Sequence, residues 1–363
     1  MTVLVDPWGS ILIEDYERLI KEFGLEAFSH SILPNPNRIM RRHIVFAGQD
    51  LNIIAKCIKE KKPYYALTGI MPSADKIHFG NKMVVENMRY FQDHGADAYI
   101  LVADLESAAA RGVSIEEARE RALNFHIPAY IALGIDPNKV KFYFQSENLE
   151  VIKIAYEASK KITMNEFRAA YGSEEPGRIM SALTQLGDML FPQSKERMPG
   201  IIPVGIDQAV HTRLCRDYIR KVRTKKYFLI SSIYHKFTPS LSGEFKMSKS
   251  HPESCIELPE DVEFVKRKIM KAVTGGRKTL EEHKKLGPNI SKDMVFELLK
   301  QHLIEDDKEL DKIYNEYKSG KMSSSELKHL TCEKMEKFMK DFNNKLEKAR
   351  KLVPKLKFIK SLD

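Results

Sequence analysis

The sequence predicts an α/β protein: a doubly wound parallel, Rossmann-like sheet as catalytic domain over residues 61–260, then a C-terminal all-helical domain over 261–363. Three observations predict it. Within the first segment, short continuous apolar runs alternate with long helical patterns, as strands buried on both faces and joined by crossover helices would. Strand-like runs vanish beyond about residue 261, where the helical pattern breaks at Thr274-Gly275-Gly276, Leu286-Gly287-Pro288 and Ser319-Gly320. The chain's 363 residues, 43 % hydrophobic and 30 % charged, are too many for one compact module and rich enough in apolar side chains for a large core.

Residues 1–60 read as a polar, proline-containing extension that packs on the catalytic domain. Residues 64–69, Tyr-Tyr-Ala-Leu-Thr-Gly, form the first expected strand, which runs into Pro72, Ser73, Ala74 and Asp75; residues 81–94 then have helical spacing. The run 98–103 is too short and too continuous for an amphipathic helix, so it is a second buried strand, with a helix over 114–133 after it. Further strands are expected at 140–145, 200–205 and 227–232, with helices at 148–170, 176–191 and 207–222 between them.

No run approaches the roughly 18 consecutive apolar residues of a membrane helix, and the start carries Asp6 and Pro7 where a signal peptide would be basic and then apolar. A soluble, cytoplasmic protein is expected. Cys57, Cys215, Cys255 and Cys332 lie far apart, with no CxxC pair and no His at zinc spacing, so the thiols are read as reduced and buried and no metal site is expected. Lys and Arg number 59 against 50 Asp and Glu, a mild surplus that favours a polyanionic partner. The surplus concentrates at the end, where Lys345, Lys348, Arg350, Lys351, Lys355, Lys357 and Lys360 face only Asp341 and Glu347. That run fits a solvated helix face or a polynucleotide contact.

Sheets of this kind bind ligands at the carboxyl ends of their strands. The loop after the first strand reads Thr68-Gly69-Ile70-Met71-Pro72-Ser73-Ala74-Asp75-Lys76-Ile77-His78-Phe79-Gly80-Asn81. Gly69 and Gly80 let backbone approach a ligand closely, while His78 and Asn81 stand where the next helix begins, beside a positive helix end suited to phosphate. A second loop, Gly243-Glu244-Phe245-Lys246-Met247-Ser248-Lys249-Ser250, offers two ammonium groups that can neutralise charge developing on a triphosphate. Its near-copy Lys321-Met322-Ser323-Ser324-Ser325 has no strand before it, and those serines suit the N-cap of a helix running through Glu326.

Taken together and in this order, His78-Phe79-Gly80-Asn81 and Lys246-Met247-Ser248-Lys249-Ser250 resemble the two signature motifs of the class I aminoacyl-tRNA synthetases. Gly205-Ile206-Asp207-Gln208 is similar to the Gly-x-Asp-Gln segment of their tyrosyl and tryptophanyl subclass. Asp6-Pro7-Trp8-Gly9, Asp15 to Ile20 with Phe23-Gly24, Arg41-Arg42-His43-Ile44-Val45-Phe46 with Asp50-Leu51-Asn52, and Thr274-Gly275-Gly276 resemble the archaeal and eukaryotic tryptophanyl-tRNA synthetases. The likeness spans residues 6 to about 350, and tyrosyl enzymes of that lineage generally lack the long lead-in before the first strand.

The resemblance implies tryptophan–tRNA ligation. L-tryptophan and ATP give the bound adenylate and pyrophosphate, and the tryptophanyl group then passes to the 3′ end of tRNA(Trp), in a homodimer whose helical domain reads the anticodon. Adenylation is an in-line displacement at the α-phosphate, so positioning and charge stabilisation outweigh acid–base work. In that scheme Lys246, Lys249 and His78 are catalytic. Gly69, Pro72, Ser73, His78, Gly80, Asn81, Asp207, Met247 and Ser248 hold ATP, with Asp207 on the ribose hydroxyls and Mg²⁺ on the phosphates. Glu106, Gln185, Asp188 and Gln208 are the candidates for tryptophan. The eukaryotic pattern has Tyr, Arg, His and Gln where this chain has Leu67, Ile70, Asn81 and Leu101. Asp188, three residues after Gln185, lines up with the tyrosyl family's hydroxyl-binding Asp. An indole N–H and a phenol O–H both donate to a carboxylate, so a tyrosine–tRNA ligase stays open, as does a catalytically idle RNA-binding paralogue.

Overall fold

The computed structural model describes residues 16–222, 226–244, 246–247 and 251–362. The Asp6-Pro7-Trp8-Gly9 motif, Asp15 and the loop residues Ser248, Lys249 and Ser250 lie outside them.

In chain order the strands are β1 (Glu26–Ala27), β2 (Val45–Gln49), β3 (Tyr65–Ile70), β4 (Ile77–His78), β5 (Asp97–Val102), β6 (Val140–Phe144), β7 (Gly200–Gly205), β8 (Ser231–His235) and β9 (Glu257–Leu258). Seven of them make the central sheet in the order β1-β2-β8-β7-β3-β5-β6, and β4 pairs with β9 apart from it. β8, β7, β3, β5 and β6 run parallel to one another. The lead-in does more than pack on this sheet, because β1 and β2 extend it in antiparallel fashion beyond β8.

Alternation along the buried strands feeds two apolar layers. Tyr65, Leu67, Tyr99 and Leu101 face the helices Leu149–Ser159, Pro176–Leu190 and Ala209–Lys221. Ala66, Ile70, Ala98, Ile100 and Val102 face the helices Leu51–Glu60 and Phe79–Asp93. A third layer joins the helical C-terminal segment to Ile77, Phe79 and Met247.

Three elements depart from the sequence expectation. The strand expected at 227–232 is β8, displaced toward the C-terminus: Tyr227 and Ile230 bury against the 209–221 helix, while Ser231 and Ser232 enter the ladder opposite Ile201 and Ile202. The expected 148–170 helix is two, because Thr163 and Glu166 form a capping box that starts a new helix, Met164–Tyr171. A short helix, Asp104–Arg111, follows β5 directly and stops at Gly112 in the left-handed region.

Ser323 caps the helix Ser324–Arg350, accepting from Glu326 N at 3.2 Å while the Glu326 carboxylate accepts from Ser323 N at 2.7 Å. The second lysine motif is therefore a helix start. After that helix the chain turns back onto the sheet, where Ile359 N donates to Phe142 O at 2.9 Å and covers the β6 edge. Cys57, Cys215, Cys255 and Cys332 are free and buried. No described helix is long and apolar enough to cross a membrane.

Candidate active site

β3 pairs with β5 along all of its length but with β7 only at Tyr65↔Gly200 and Ala66↔Ile201. Pro203 has no N–H to give the ladder, and beyond Ala66 the two strands part. Here the winding also reverses, since β5 and β6 lie on one side of β3 and β7 and β8 on the other. Doubly wound sheets bind ligands at such a switch point, and a cavity of about 290 Å³ opens there.

One wall carries the start of the Phe79–Asp93 helix. Gly80 N–H donates to His78 Nδ1 at 3.0 Å and His78 N–H to Asn81 Oδ1 at 3.1 Å, so the two motif residues cap the helix reciprocally. With Nδ1 accepting, the neutral ring carries its proton on Nε2. The ring also explains the glycine, because a Cβ at position 80 would lie 2.7 Å from His78 Cε1. Tyr130 closes this wall by donating to Gly69 O at 3.4 Å. Burial pushes its phenol well above the ordinary range.

The facing wall carries the lysine loop. Met247 is buried, with its N–H on Thr238 O at 2.7 Å and its sulfur accepting from Ile256 N at 3.3 Å. That anchors Lys246, whose ammonium lies 3.1 Å from Asp207 Oδ2 and 4.7 Å from the Phe237 ring centre. Beside them His235 Nδ1 meets the Lys236 carbonyl at 2.9 Å, which requires the ring to donate there and leaves Nε2 as an acceptor. Burial lowers its pKa and keeps the ring neutral.

The inner end is apolar, built from Leu67, Leu101, Met189, Ile202 and Val204 around a polar cluster. Gln185 Nε2 donates to Glu106 Oε2 at 2.7 Å. Asp188, 1 % exposed, accepts from the Tyr143 hydroxyl at 3.0 Å and from Gln145 Nε2 at 2.6 Å. Burial holds its carboxyl well above the usual range, against the pull of both donors.

Gly69, His78, Gly80, Asn81, Glu106, Gln185, Asp188, Asp207, Gln208, Lys246 and Met247 thus line one cavity. Pro72 and Ser73 do not line it, and the Ser73 carbonyl is turned to Arg121 at 3.0 Å. Sequence reasoning missed Tyr130, Tyr143, Gln145 and His235. The available signal was a polar residue at the carboxyl end of a buried strand, as Gln145 directly follows β6 and His235 ends β8.

Residues 59–340 match the model of the class I tRNA synthetases for tryptophan and tyrosine. The chain is 39 % identical to the tryptophan–tRNA ligase of Methanocaldococcus jannaschii, over 96 % of this chain and 97 % of that protein. It is similar to the crystal structure of the tryptophanyl-tRNA synthetase of Aeropyrum pernix, with a TM-score of 0.89, 37 % identity, and 97 % and 98 % of the two chains covered. The Plasmodium falciparum tryptophanyl-tRNA synthetase superposes with a TM-score of 0.84 at 25 % identity, over 93 % of this chain and 97 % of that one. With His78, Gly80 and Asn81 facing Lys246 and Met247 across one cavity at the switch point of its sheet, the chain belongs to the tryptophanyl and tyrosyl family of class I tRNA synthetases.

Proposed function

We propose that this chain is a tryptophan–tRNA ligase, activating L-tryptophan with ATP and passing the tryptophanyl group to the 3′ end of tRNA(Trp). The observation that carries this reading is one cavity with two chemically distinct ends: a cationic, donor-rich mouth between His78 and Lys246, and an apolar inner end around the buried Asp188.

In this reading the indole lies among Leu67, Leu101, Ile202 and Val204, and its N–H donates to Asp188. The Glu106–Gln185 pair and Gln208 take the α-amino and carboxylate groups, which aims a carboxylate oxygen at the α-phosphate. His78 Nε2–H and the helix start it caps receive phosphate oxygens. Lys246 leaves Asp207 as the triphosphate enters, and with Lys249 stabilises the negative charge that grows on the departing pyrophosphate. Asp207, released, accepts from the ribose hydroxyls. The groups facing the phosphates are cations and neutral donors, a set that fits phosphate oxygens and leaves Mg²⁺ to be held by those oxygens. Pro72 and Ser73, on the loop between Gly69 and His78, are assigned to the ATP side of the site.

The same reading includes a cytoplasmic location, a helical domain over 261–363 that reads the anticodon, and a homodimer. The homodimer is supported by exposed Leu149, Tyr156, Met164 and Met180, which follow one another on consecutive helices. The test is ATP–pyrophosphate exchange without tRNA, with tryptophan and tyrosine as separate substrates. Exchange with tryptophan alone is expected; exchange with tyrosine alone, or with neither, would overturn the reading.

A further inference from the structure

His302 belongs to the helical segment yet is buried against both phosphate-handling loops. It lies in the π-helical turn Leu299–Leu303, which continues the helix Met294–Leu298. Such turns are rare and are found frequently at functional sites. The imidazole stands 4.6 Å, centre to centre, from the ring of Phe79, the residue between His78 and Gly80. Its Nε2 hydrogen-bonds Thr238 Oγ1 at 3.0 Å, and the carbonyl of that same Thr238 accepts from Met247 N at 2.7 Å.

The turn is held from behind by the Arg41-Arg42 pair of the lead-in. Arg42 Nη1 donates to the carbonyls of Lys300 and Ile304, each at 2.7 Å, and both arginines pair with Asp307. Carbonyls at a helix end need such a partner, so the lead-in fixes the turn and the turn fixes His302. The contact is continuous with the packing around it, because Phe79 and Met247 share one apolar cluster with Leu299 and Met335.

We propose that His302 is a positioning residue for adenylation, holding Phe79 and Thr238 so that the His78–Asn81 helix start and the Lys246–Met247 loop address the same triphosphate. It does not line the cavity, so it acts through those two neighbours. This role rests on the ligase reading, and it also gives the helical segment a direct mechanical link to the chemistry. Displacing reacting groups by about 1 Å can cost on the order of a hundredfold in rate.

The experiment is ATP–pyrophosphate exchange by the full chain, with tryptophan binding measured separately by equilibrium dialysis. The variants are His302→Ala, His302→Gln, Thr238→Val and the double variant His302→Ala/Thr238→Val. For His302→Ala, a rise in KM for ATP and a fall in kcat that together reach about 10- to 100-fold are expected, with tryptophan affinity within about twofold of the parent. The glutamine variant, whose amide can still meet Thr238, should recover most of the loss. The double variant should be no worse than the worse single one, because both remove one contact. A parallel loss of tryptophan affinity would reduce His302 to a packing residue and overturn the role, as would unchanged ATP kinetics or additive losses. Should His302→Ala fail to fold, Thr238→Val and His302→Gln carry the same comparison. A parent chain without tryptophan-dependent exchange would sink the ligase reading and this role with it.

Discussion

Gln145 Nε2 lies 2.6 Å from Asp188 Oδ2, and its own Oε1 accepts from the Glu106 backbone N–H at 3.4 Å, so one buried amide ties the Asp188 carboxyl to the main chain of Glu106 at the inner end of the cavity. The Tyr143 hydroxyl holds the other oxygen of Asp188. Both oxygens of a fully buried carboxyl are thereby aimed, which gives a planar ring's N–H a fixed acceptor while the apolar wall fixes the ring's plane.

Asp188→Asn separates that function from stability. A hydrogen bond to a charged group contributes about 1.5–3 kcal/mol, so KM for tryptophan should rise by roughly 10- to 150-fold. Stability should move the other way. Burial raises the folded-state pKa of Asp188, and an acid so raised contributes stability that is present at low pH and is lost as pH rises through the folded pKa. The variant should therefore melt at or above the parent near about pH 8, with the advantage shrinking toward about pH 4. Thermal melts across that range check the sign, and a variant that melts lower at the alkaline end would mean the ionised carboxylate is a net stabiliser.

Gly80→Ala tests the reciprocal cap. Alanine normally stabilises a helix over glycine by about 1 kcal/mol, but here its Cβ would meet His78 Cε1 at 2.7 Å and Nδ1 at 2.9 Å. The ring must swing away and release the Gly80 N–H. Exchange should fall at least about tenfold, mostly through KM for ATP, with melting temperature changed by only a few degrees. Full activity would show that the ring's placement does not matter.

The loop lysines should show a different pattern. Lys249→Ala is expected to cut pyrophosphate exchange by about 10²- to 10³-fold, the cost of removing a transition-state donor, with tryptophan binding nearly intact. Lys246→Ala should match it in kcat and in addition alter KM for ATP, because it leaves Asp207 without its ion-pair partner. Equal loss of exchange and tryptophan binding in either variant would assign the loop a structural role.

How far the sequence could be read follows from which residues carry both pattern and chemistry. β3, β5 and β7 were legible because each is a continuous apolar run ending in a glycine or small-residue turn. β8 was not, since its polar Ser231 and Ser232 follow a more apolar segment, and burial among neighbouring strands decided the matter. The parting of β3 from β7 could have been suspected from Pro203 alone. The Gln145–Asp188 contact could not, because it joins residues 43 positions apart, a turn after β6 and the helix Pro176–Leu190, through tertiary packing that no local pattern encodes. The same holds for His302, whose aim depends on a π turn set by Arg42 from the far end of the chain.

Tyr156→Lys probes self-association. Tyr156 is 63 % exposed, in the helical face that also shows Leu149 at 64 %. If that face joins two copies, a buried unpaired lysine would cost several kcal/mol, and light scattering should report a monomer where the parent is a dimer. A dimer in both would move the interface elsewhere.

The basic tail calls for substitution rather than truncation. Removing 345–363 would strip lysines, but it would also take away Val353 and Phe358, which pack on the β6 side of the sheet, and the Ile359 bond to Phe142. A truncated chain would lose tRNA binding through an uncovered strand edge as readily as through lost charge. Lys351, Lys355 and Lys357 are exposed among these structural residues and can be changed to glutamine without touching the packing. If they meet tRNA phosphates, the triple variant should bind tRNA more weakly, and its plot of log affinity against log salt should flatten by about 0.7–0.9 per lost contact. If they serve only as a solvated surface, affinity and slope should equal those of the parent, and the polynucleotide contact must then lie on another face of the helical segment.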